Sequence, residues 1–348
     1  MASQAPLPES TDDLQALQRA LSAYRAPRLA RSVFELGVTV IPFALFWFLT
    51  WASVSAGYWI GLLLTVPAAG FLVRLFMIQH DCGHGSFFPS RRANDLVGRA
   101  LGVLTLTPYD FWRHTHALHH AHSGNLDRAR EGGIKTLSVR EYLALPPVQR
   151  LRYRLYRHPL ILFGLGPVYL FMLHNRLPIG FMRAGWMPWV STMGTNVAVV
   201  LVVVAAISVV GAGNFLLVHL PISVLASSVG VWLFYVQHQF EHTRWARDKE
   251  WTFREAALYG SSCYELPAPL RWMTANIGAH HVHHLASRIP SYRLPEVLEG
   301  FPQLREISRV TLRESIQGAR LALWDEERRR LVPFPRSTNA GQSPVGRP

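Results

Sequence analysis

The sequence predicts an all-α integral membrane protein with four transmembrane helices arranged in two hairpins. Composition is the first indication, because 49% of the 348 residues are hydrophobic and only 16% are charged, against about 25% charged residues in soluble domains. The second is that Asp, Glu, Lys and Arg are absent from two long stretches, residues 36–73 and 184–240. The third is a set of 16 histidines, most of which fall into short clusters near the ends of these stretches or between them.

Residues 36–73 are long enough for two membrane-spanning helices. As a helix this stretch would extend about 57 Å, nearly twice the hydrocarbon core of about 30 Å. A turn is favoured at residues 53–58, where Ser, Gly, Tyr and Trp suit the membrane interface. We therefore predict spans at residues 36–54 and 58–79.

Residues 184–240 predict the second hairpin, with its turn at Gly211-Ala212-Gly213-Asn214. The expected spans are residues 189–210 and 216–236. Valine is abundant before the turn and prefers strands in water. In lipid each backbone group must be satisfied within its own segment, so a helix is still predicted.

The remaining segments divide into arms and loops. Residues 1–35 predict a polar cytoplasmic arm, residues 301–332 a cytoplasmic helical region, and residues 333–348 a disordered tail rich in Pro, Ser, Gly and Asn. Two shorter apolar stretches, residues 96–109 and 158–175, contain Gly and Pro. We expect them to be interfacial or re-entrant, with ordinary buried helices of the aqueous part as the alternative.

The distribution of basic residues predicts the orientation of the chain. All 35 Lys and Arg residues lie in the N-terminal arm, residues 74–183 and residues 241–348, and the two hairpin turns contain none. The positive-inside rule then places both termini and every histidine cluster in the cytoplasm. The expected location is a bacterial inner membrane.

The net charge of +13 raises the question of nucleic-acid binding. The basic residues are spread along the chain, and no zinc-finger, RNA-recognition or helix-turn-helix signature accompanies them. We therefore predict no nucleic-acid partner.

The histidine spacing places imidazoles on shared helix faces. Residues three or four apart on a helix have Cβ atoms about 5–6 Å apart. Crowded imidazoles repel one another when protonated, whereas a metal ion binds the neutral form. The clusters with this spacing are His80/His84, His116/His119/His120, His238/His242 and His280/His283/His284.

Ten imidazoles are too many for one metal ion, whereas two ions with four or five imidazoles each fit the count, and iron, zinc or copper would suit them. The metalloprotease motif H-E-x-x-H and the Glu-x-x-His motif of helical-bundle di-iron proteins are both missing. Asp81, Asp127 and Glu241 adjoin the clusters and either accept the second ring N–H of a ligand or remain solvated charges.

Three segments resemble the histidine boxes of the membrane-bound fatty-acid desaturases. They are His80-Asp81-Cys82-Gly83-His84, Trp112-Arg113-His114-Thr115-His116-Ala117-Leu118-His119-His120 and His280-His281-Val282-His283-His284-Leu285. The form H-D-C-G-H is similar to the branch that contains the omega-6 and omega-3 acyl-lipid desaturases. The resemblance covers residues 36–300, including the run from His284 to Tyr292.

The resemblance implies a cytoplasmic helical cap that carries a di-iron site. Related enzymes supply a further ligand after the fourth span, which here falls on His238, with His242 as a less secure candidate. His114, His122 and His281 are extra histidines that the boxes do not need. The implied iron ligands from the boxes are His80, His84, His116, His119, His120, His280, His283 and His284.

The activity that the resemblance implies is an oxygen-dependent one, the introduction of a cis double bond into the acyl chain of a membrane lipid. The form of the first box favours the omega-6 (delta-12) type. Two Fe²⁺ ions are the implied cofactors and dioxygen the co-substrate. No fused haem-binding or ferredoxin module is visible, so the expected electron donor is a separate carrier such as ferredoxin with its reductase.

Two other functions stay open at this point. A hydroxylase or ketolase of the same superfamily would act on an alkane, sterol or carotenoid and give an oxygenated product. A metal transporter or sensor would place its ligands within the spans. Here only His219 lies within or beside a span and apart from the clusters.

Overall fold

The structure is a computed structural model that describes residues 11–128 and 133–335. The start of the predicted arm and residues 336–348 of the predicted tail lie outside the described residues. The α-helices are α1 (Thr11–Leu21), α2 (Leu29–Ser55), α3 (Thr65–His84), α4 (Arg91–Leu104), α5 (Tyr109–His122), α6 (Val139–Ala144), α7 (Pro147–Tyr156), α8 (Gly166–Val168), α9 (Met187–Val210), α10 (Ala212–His238), α11 (Phe253–Tyr259), α12 (Ala268–Met273), α13 (His280–Leu285), α14 (Leu294–Gly300) and α15 (Leu312–Gly318).

Short 3₁₀ and π segments and five strands complete the described chain. The 3₁₀ segments are Ser22–Tyr24, Trp59–Leu64, His174–Arg176, Ser291–Arg293 and Pro302–Glu306, and the π segments are Ile161–Leu165 and Tyr169–Leu173. The strands are β1 (Leu137–Ser138), β2 (Cys263–Glu265), β3 (Arg309–Thr311), β4 (Leu321–Asp325) and β5 (Arg330–Pro333).

Within residues 11–128 and 133–335, four helices are long and apolar enough to cross a membrane, which confirms the predicted fold class. They are Leu29–Ser55, Trp59–His84, Met187–Val210 and Ala212–His238. The second hairpin turns at Gly211, whose φ of 80° lies in the left-handed region that glycine adopts without a Cβ clash. α9 is the peripheral span, because Thr192 is its one buried residue.

The core lies between α2, α3 and α10, and α3 is its central helix. Fourteen residues of α3 are buried, compared with six of the longer α2. α4, which contains most of the apolar stretch 96–109, packs against α3, while its Gly98 and Gly102 lie against Tyr109 and Leu96 is exposed. α3 therefore delivers the first histidine cluster from the most tightly packed part of the molecule.

The prediction of a helical C-terminal region at residues 301–332 is wrong in detail, because three strands form there beside α15. β4 pairs in parallel with β1 and antiparallel with β5, and β2 pairs in parallel with β3. Ala322, Leu323 and Trp324 of β4 are all buried, so both faces of this strand are covered. Such a fully buried run lacks the alternation that identifies a strand in sequence.

The first residues of the predicted tail also belong to this packed region. Pro333 ends β5, and the ring of Phe334 packs against Tyr142 and Tyr153 at centroid distances of 5.3 and 5.9 Å.

A buried ion pair ties α2 to α3. Glu35 and Arg74 have side chains that are each 4% exposed, and the two side chains are directly paired. Arg31 contacts the other carboxylate oxygen of Glu35 at 2.6 Å, and the Arg74 guanidinium lies 4.1 Å from the ring centroid of Trp272. Because Glu35 is neutralised in this way, α2 begins at Leu29, well before the predicted start of the first span.

Removing the carboxylate of the buried Glu35–Arg74 pair should cost more unfolding free energy than removing the carboxylate of an exposed pair. Glu35→Gln leaves the Arg74 charge buried without its partner, so we expect the free energy of unfolding to fall by about 3–5 kcal/mol. Glu265→Gln is the matched control, because Glu265 is 55% exposed and pairs with Arg309 on the surface; its expected cost is about 0–1 kcal/mol. Thermal unfolding in detergent measures the stability of both variants. Equal decreases in unfolding temperature would contradict a stabilising role for the buried pair.

Candidate metal centre

Nine of the ten predicted histidine ligands converge in two groups. Within each group the candidate ligand atoms all lie within 4.8 Å of one another. The first histidine group contains His80, His84, His116, His120 and His283. The second histidine group contains His119, His238, His280 and His284.

Helix geometry explains how the sequence clusters divide between the groups. Three of the four predicted i,i+4 pairs stay together: His80/His84 and His116/His120 in the first group, and His280/His284 in the second. The histidine at i+3 crosses to the other group, since His119 of α5 joins the second group and His283 of α13 joins the first. Both α5 and α13 thus supply ligand atoms to both groups, which holds the groups side by side.

The ring nitrogens face one another at short distances. In the first group, His116 Nε2 lies 3.0 Å from His84 Nε2 and 3.1 Å from His120 Nε2. In the second group, His238 Nε2 lies 3.0 Å from the Nε2 atoms of both His119 and His280. Nε2 atoms therefore point inward in both groups.

These contacts do not form a satisfied hydrogen-bond network. The Nδ1–H of His238 can donate to the carbonyl of Gly260 at 3.2 Å, which leaves a lone pair on Nε2 in the neutral ring. The Ser123 hydroxyl lies 3.3 Å from the same Nδ1. His238 Nε2 can accept an N–H from one neighbouring imidazole but cannot fully satisfy both, whereas a cation between the three nitrogens can bind all their lone pairs.

Burial keeps the imidazoles of the cap in the neutral form. Burial, with a smaller contribution from neighbouring histidines, holds the pKa well below the usual histidine range for His116, His119, His120, His280, His283 and His284. Neutral imidazole is the form that binds metal. In the unfolded chain these rings would be protonated below a pH of about 6.5, so acid destabilises the arrangement.

The geometry fits metal ions held by several imidazoles each. Two nitrogens at about 2.1 Å from an ion, at a right angle to one another, are about 3.0 Å apart. The observed Nε2 separations of 3.0 and 3.1 Å match this value. The donor set of imidazoles alone suits iron, zinc or copper.

Neighbouring side chains hold some of the rings in place. Asp81 is buried, with Oδ1 at 3.4 Å from His80 Nδ1 and Oδ2 accepting the backbone N–H of Ser291 at 2.7 Å. The Trp112 ring stacks on His116 at 4.6 Å. Of the three acids that adjoin the clusters, Asp81 is thus the one that contacts a predicted ligand. Its bond to Ser291 also joins the first histidine box to the segment that follows the third box.

The other two acids that adjoin the clusters pair with arginines instead. Asp127 binds Arg247 at 2.6 Å, and Glu241 binds Arg330 at 3.0 Å. The contacts of Ser123 and Gly260 with His238 were not predicted, because they come from tertiary folding and have no local spacing signal. Trp112, in contrast, precedes His116 by four residues, a spacing that could have indicated the stack.

His242 is the predicted ligand that the structure does not bring to either group. α10 ends at His238, so His242 does not share a helix face with it, and the side chain is exposed. The three extra histidines also lie outside the groups. His114 is exposed beside Phe181, His122 lines a pocket beside His119, and His281 is fully buried with its pKa lowered to about 4 by burial.

A small apolar cavity of about 40 Å³ is linked to the first histidine group by two aromatic contacts, although no histidine lines it. It lies between α3, α4, α10 and the π segments, and Leu72, Phe76, Leu104, Phe171 and Gly230 are among its lining residues. The ring of Phe76 packs edge-on against Trp112 at 5.5 Å, and Trp112 stacks on His116. Phe76 and Trp112 therefore link the cavity wall to His116 of the first histidine group.

A second pocket adjoins the second histidine group. His119 and His238 line it, together with Phe234, Gly124 and Trp245. Gly124 and Trp245 also line an open groove of about 1090 Å³ on the cap. This pocket and the open groove therefore share a wall formed by Gly124 and Trp245.

Comparison with known proteins identifies related sequences. Residues 53–314 match the family model described as fatty acid desaturase. A protein of Bacillus subtilis (strain 168) named "Fatty acid desaturase" is 44% identical over 318 residues, covering 91% of this chain and 90% of the relative.

Two proteins of Synechocystis sp. are more distant relatives. The "sn-1 acyl-lipid omega-3 desaturase (ferredoxin)" is 32% identical over 65% of this chain and 62% of its own length. The "sn-1 oleoyl-lipid 12-desaturase" is 27% identical over 64% and 63%. With four apolar helices, two converging histidine groups and a family match over most of its length, the chain belongs to the fatty acid desaturase family.

Proposed function

We propose that the protein introduces a cis double bond into the acyl chain of a membrane lipid, with two iron ions held by the two histidine groups. The observation that carries this proposal is the pair of histidine groups, which Trp112 and Phe76 link to a small apolar cavity. The sequence hypothesis of an omega-6 bond is retained, supported by the H-D-C-G-H form of the first box and by the relative named as a 12-desaturase.

The proposed ligands divide as the structure groups them. His80, His84, His116, His120 and His283 would hold one ion, and His119, His238, His280 and His284 the other. Bound iron would supply the activation of dioxygen and the redox change. The overall reaction balances as two adjacent methylenes, dioxygen, two electrons and two protons giving one double bond and two waters.

The chain's own residues position the substrate and keep water away from it. An acyl chain has no polar group along its methylenes, so it is held by apolar burial at about 0.8 kcal/mol per CH₂. The cavity lined by Phe76, Leu104 and Phe171 supplies such a surface, and its depth would select the bond. Trp112, between Phe76 and His116, would form the wall that the reacting carbons approach.

Electrons are proposed to come from a separate carrier protein of the ferredoxin type. Relatives from Synechocystis sp. and Nostoc sp. carry "ferredoxin" in their names. Each turnover needs two electrons, and a one-electron carrier would therefore dock twice.

By the positive-inside rule, the distribution of basic residues supports a cytoplasmic location for both termini and for the histidine groups, with the spans in a bacterial inner membrane. Reporter fusions after Gly57 and Gly213 should then report an extracytoplasmic location, and fusions after Arg128 and Arg320 should report a cytoplasmic location. A cytoplasmic signal at either glycine would contradict this orientation.

The direct test of activity is analysis of lipids from a bacterial host that expresses the chain under oxygen with a ferredoxin and its reductase. Gas chromatography with mass spectrometry should show a new cis double bond of the omega-6 type. A bond at another position would reject the omega-6 hypothesis and leave desaturation intact. Hydroxylated or keto products without new unsaturation would favour the hydroxylase or ketolase alternative.

Metal content tests the assignment of the second group. His119→Ala removes one of its four imidazoles. The affinity for the second ion should fall by more than the roughly 10- to 100-fold that loss of a supporting hydrogen bond costs. His114→Ala is the matched control, because His114 lies on the same helix with its side chain exposed. Iron per chain, measured by plasma mass spectrometry, should fall in the first variant alone; equal values in both variants would contradict the assignment.

Cavity volume tests the proposed acyl site. A Cβ at Gly230 meets nothing within 4 Å, so the side chain of Gly230→Leu starts in open space at the cavity wall and fills the cavity. We expect lower turnover of long acyl chains and a shift in product towards shorter ones, with thermal unfolding unchanged. Gly194→Leu is the matched control, since Gly194 is equally open but lies on α9 away from the cavity. An equal loss in both variants would place the acyl chain elsewhere.

A further inference from the structure

The open groove on the cap is distinct from the apolar cavity and has a polar, basic lining. We call it the arginine groove; it lies between the segment after α10 and the β4–β5 hairpin, and its defining residues are Arg244, Trp245, Trp251, Arg328, Arg329 and Arg330. Its volume of about 1090 Å³ exceeds the roughly 300–1,000 Å³ of typical small-molecule pockets. The groove is therefore of a size that suits part of a protein surface.

The arginine groove leads to the second histidine group by two routes. Trp245 lines both the groove and the pocket that His119 and His238 line. Trp251 donates its indole N–H to the carbonyl of Ser123 at 2.9 Å, and the Ser123 hydroxyl lies 3.3 Å from His238 Nδ1. One residue thus separates the groove wall from a proposed iron ligand.

The charges of the groove favour an acidic partner. Four arginines and two glutamates line it, on a chain whose net charge is +13. Each of the four arginines is in an ion pair: Arg244 with Glu255, Arg328 with Asp325, Arg329 with Glu250 and Arg330 with Glu241. Arg329 pairs with Glu250 at 3.1 Å, and both side chains are largely exposed, at 76% and 66%. Exposed ion pairs contribute little, so carboxylates of a partner can replace Glu250 at small cost.

We propose that the arginine groove is the docking site for an acidic one-electron carrier of the ferredoxin type. This inference rests on the proposed function, because that function requires an external electron source. Each reduced carrier docks, releases one electron towards the second histidine group past Trp245 and Trp251, and leaves oxidised; two dockings supply the two electrons of one turnover. Exposed, exchangeable ion pairs fit the small and transient interfaces of electron-transfer complexes.

The test measures carrier binding without turnover. The full-length, iron-loaded protein is placed in nanodiscs of zwitterionic phosphatidylcholine, so that anionic headgroups do not compete. The probe is an oxidised cyanobacterial [2Fe–2S] ferredoxin, and its Kd is measured by biolayer interferometry at low and at high salt. Iron content and thermal unfolding confirm that each variant is folded.

Charge reversal in the groove is compared with the same reversal elsewhere on the chain. Arg328→Glu/Arg329→Glu should weaken ferredoxin binding by about ten-fold or more at low salt, because rim charges control electrostatic association. The neutral pair Arg328→Gln/Arg329→Gln should give a smaller loss in the same direction. Arg309→Glu/Arg313→Glu is the matched control, with the same charge change at exposed positions outside the groove; it should leave the Kd within about two-fold.

Several results would overturn the proposal: no ferredoxin binding by the unmodified protein, binding that is insensitive to salt, or an equal loss in the control pair. Loss of binding when phosphatidylglycerol is added to the nanodiscs would assign the groove to lipid headgroups and also reject it. The lipid analysis is separate from this measurement. If the lipids contain a new double bond but the groove variants bind ferredoxin normally, only the docking proposal is rejected. If no double bond forms but the groove variants bind ferredoxin more weakly, only the proposed reaction is rejected.

Discussion

The convergence of nine imidazoles, six of them buried, is the constraint on which the rest of the structure depends. Several of their Nε2 atoms approach to 3.0 and 3.1 Å, and the single N–H of each neutral ring cannot satisfy all of these contacts. Such an arrangement is stable when cations occupy the space between the nitrogens. Before metal binds, folding must hold these rings together against repulsion, which explains why the histidines stand on helices fixed by deep burial and not on loops.

Two features of the scaffold supply this rigidity. α3 is buried along most of its length and is tied to α2 by the Glu35–Arg74 pair, so the first histidine cluster has little freedom to move. Asp81 then ties the first box to Ser291, beyond the third. The alternation of i+3 and i+4 spacing in α5 and α13 sends ligands from each of these helices to both groups. A displacement of either helix would therefore change the proposed ligand positions of both ions.

Much of this could be predicted from the sequence, because the signals were local. The absence of charge indicated the long apolar helices, and helical spacing indicated the nine histidines that converge. The interpretation failed where the outcome depended on tertiary contacts. Glu35 did not end the first helix, because Arg74 neutralises it; β4 was not recognised, because both its faces are buried; and His242 was grouped with His238 only on the assumption that the helix continues. The division of the ligands into two groups also required the relative positions of α5 and α13.

The proposed acyl site and the proposed docking site are linked to different histidine groups. The apolar cavity reaches the first group through Trp112, and the arginine groove reaches the second through Ser123 and Trp245. The most direct test of the account is an anomalous difference map at the iron absorption edge, from crystals of the iron-loaded protein. The account predicts two peaks, one among the five Nε2 atoms of the first group and one among the four of the second. A single peak shared by both groups, or peaks that appear only at the zinc edge, would contradict it.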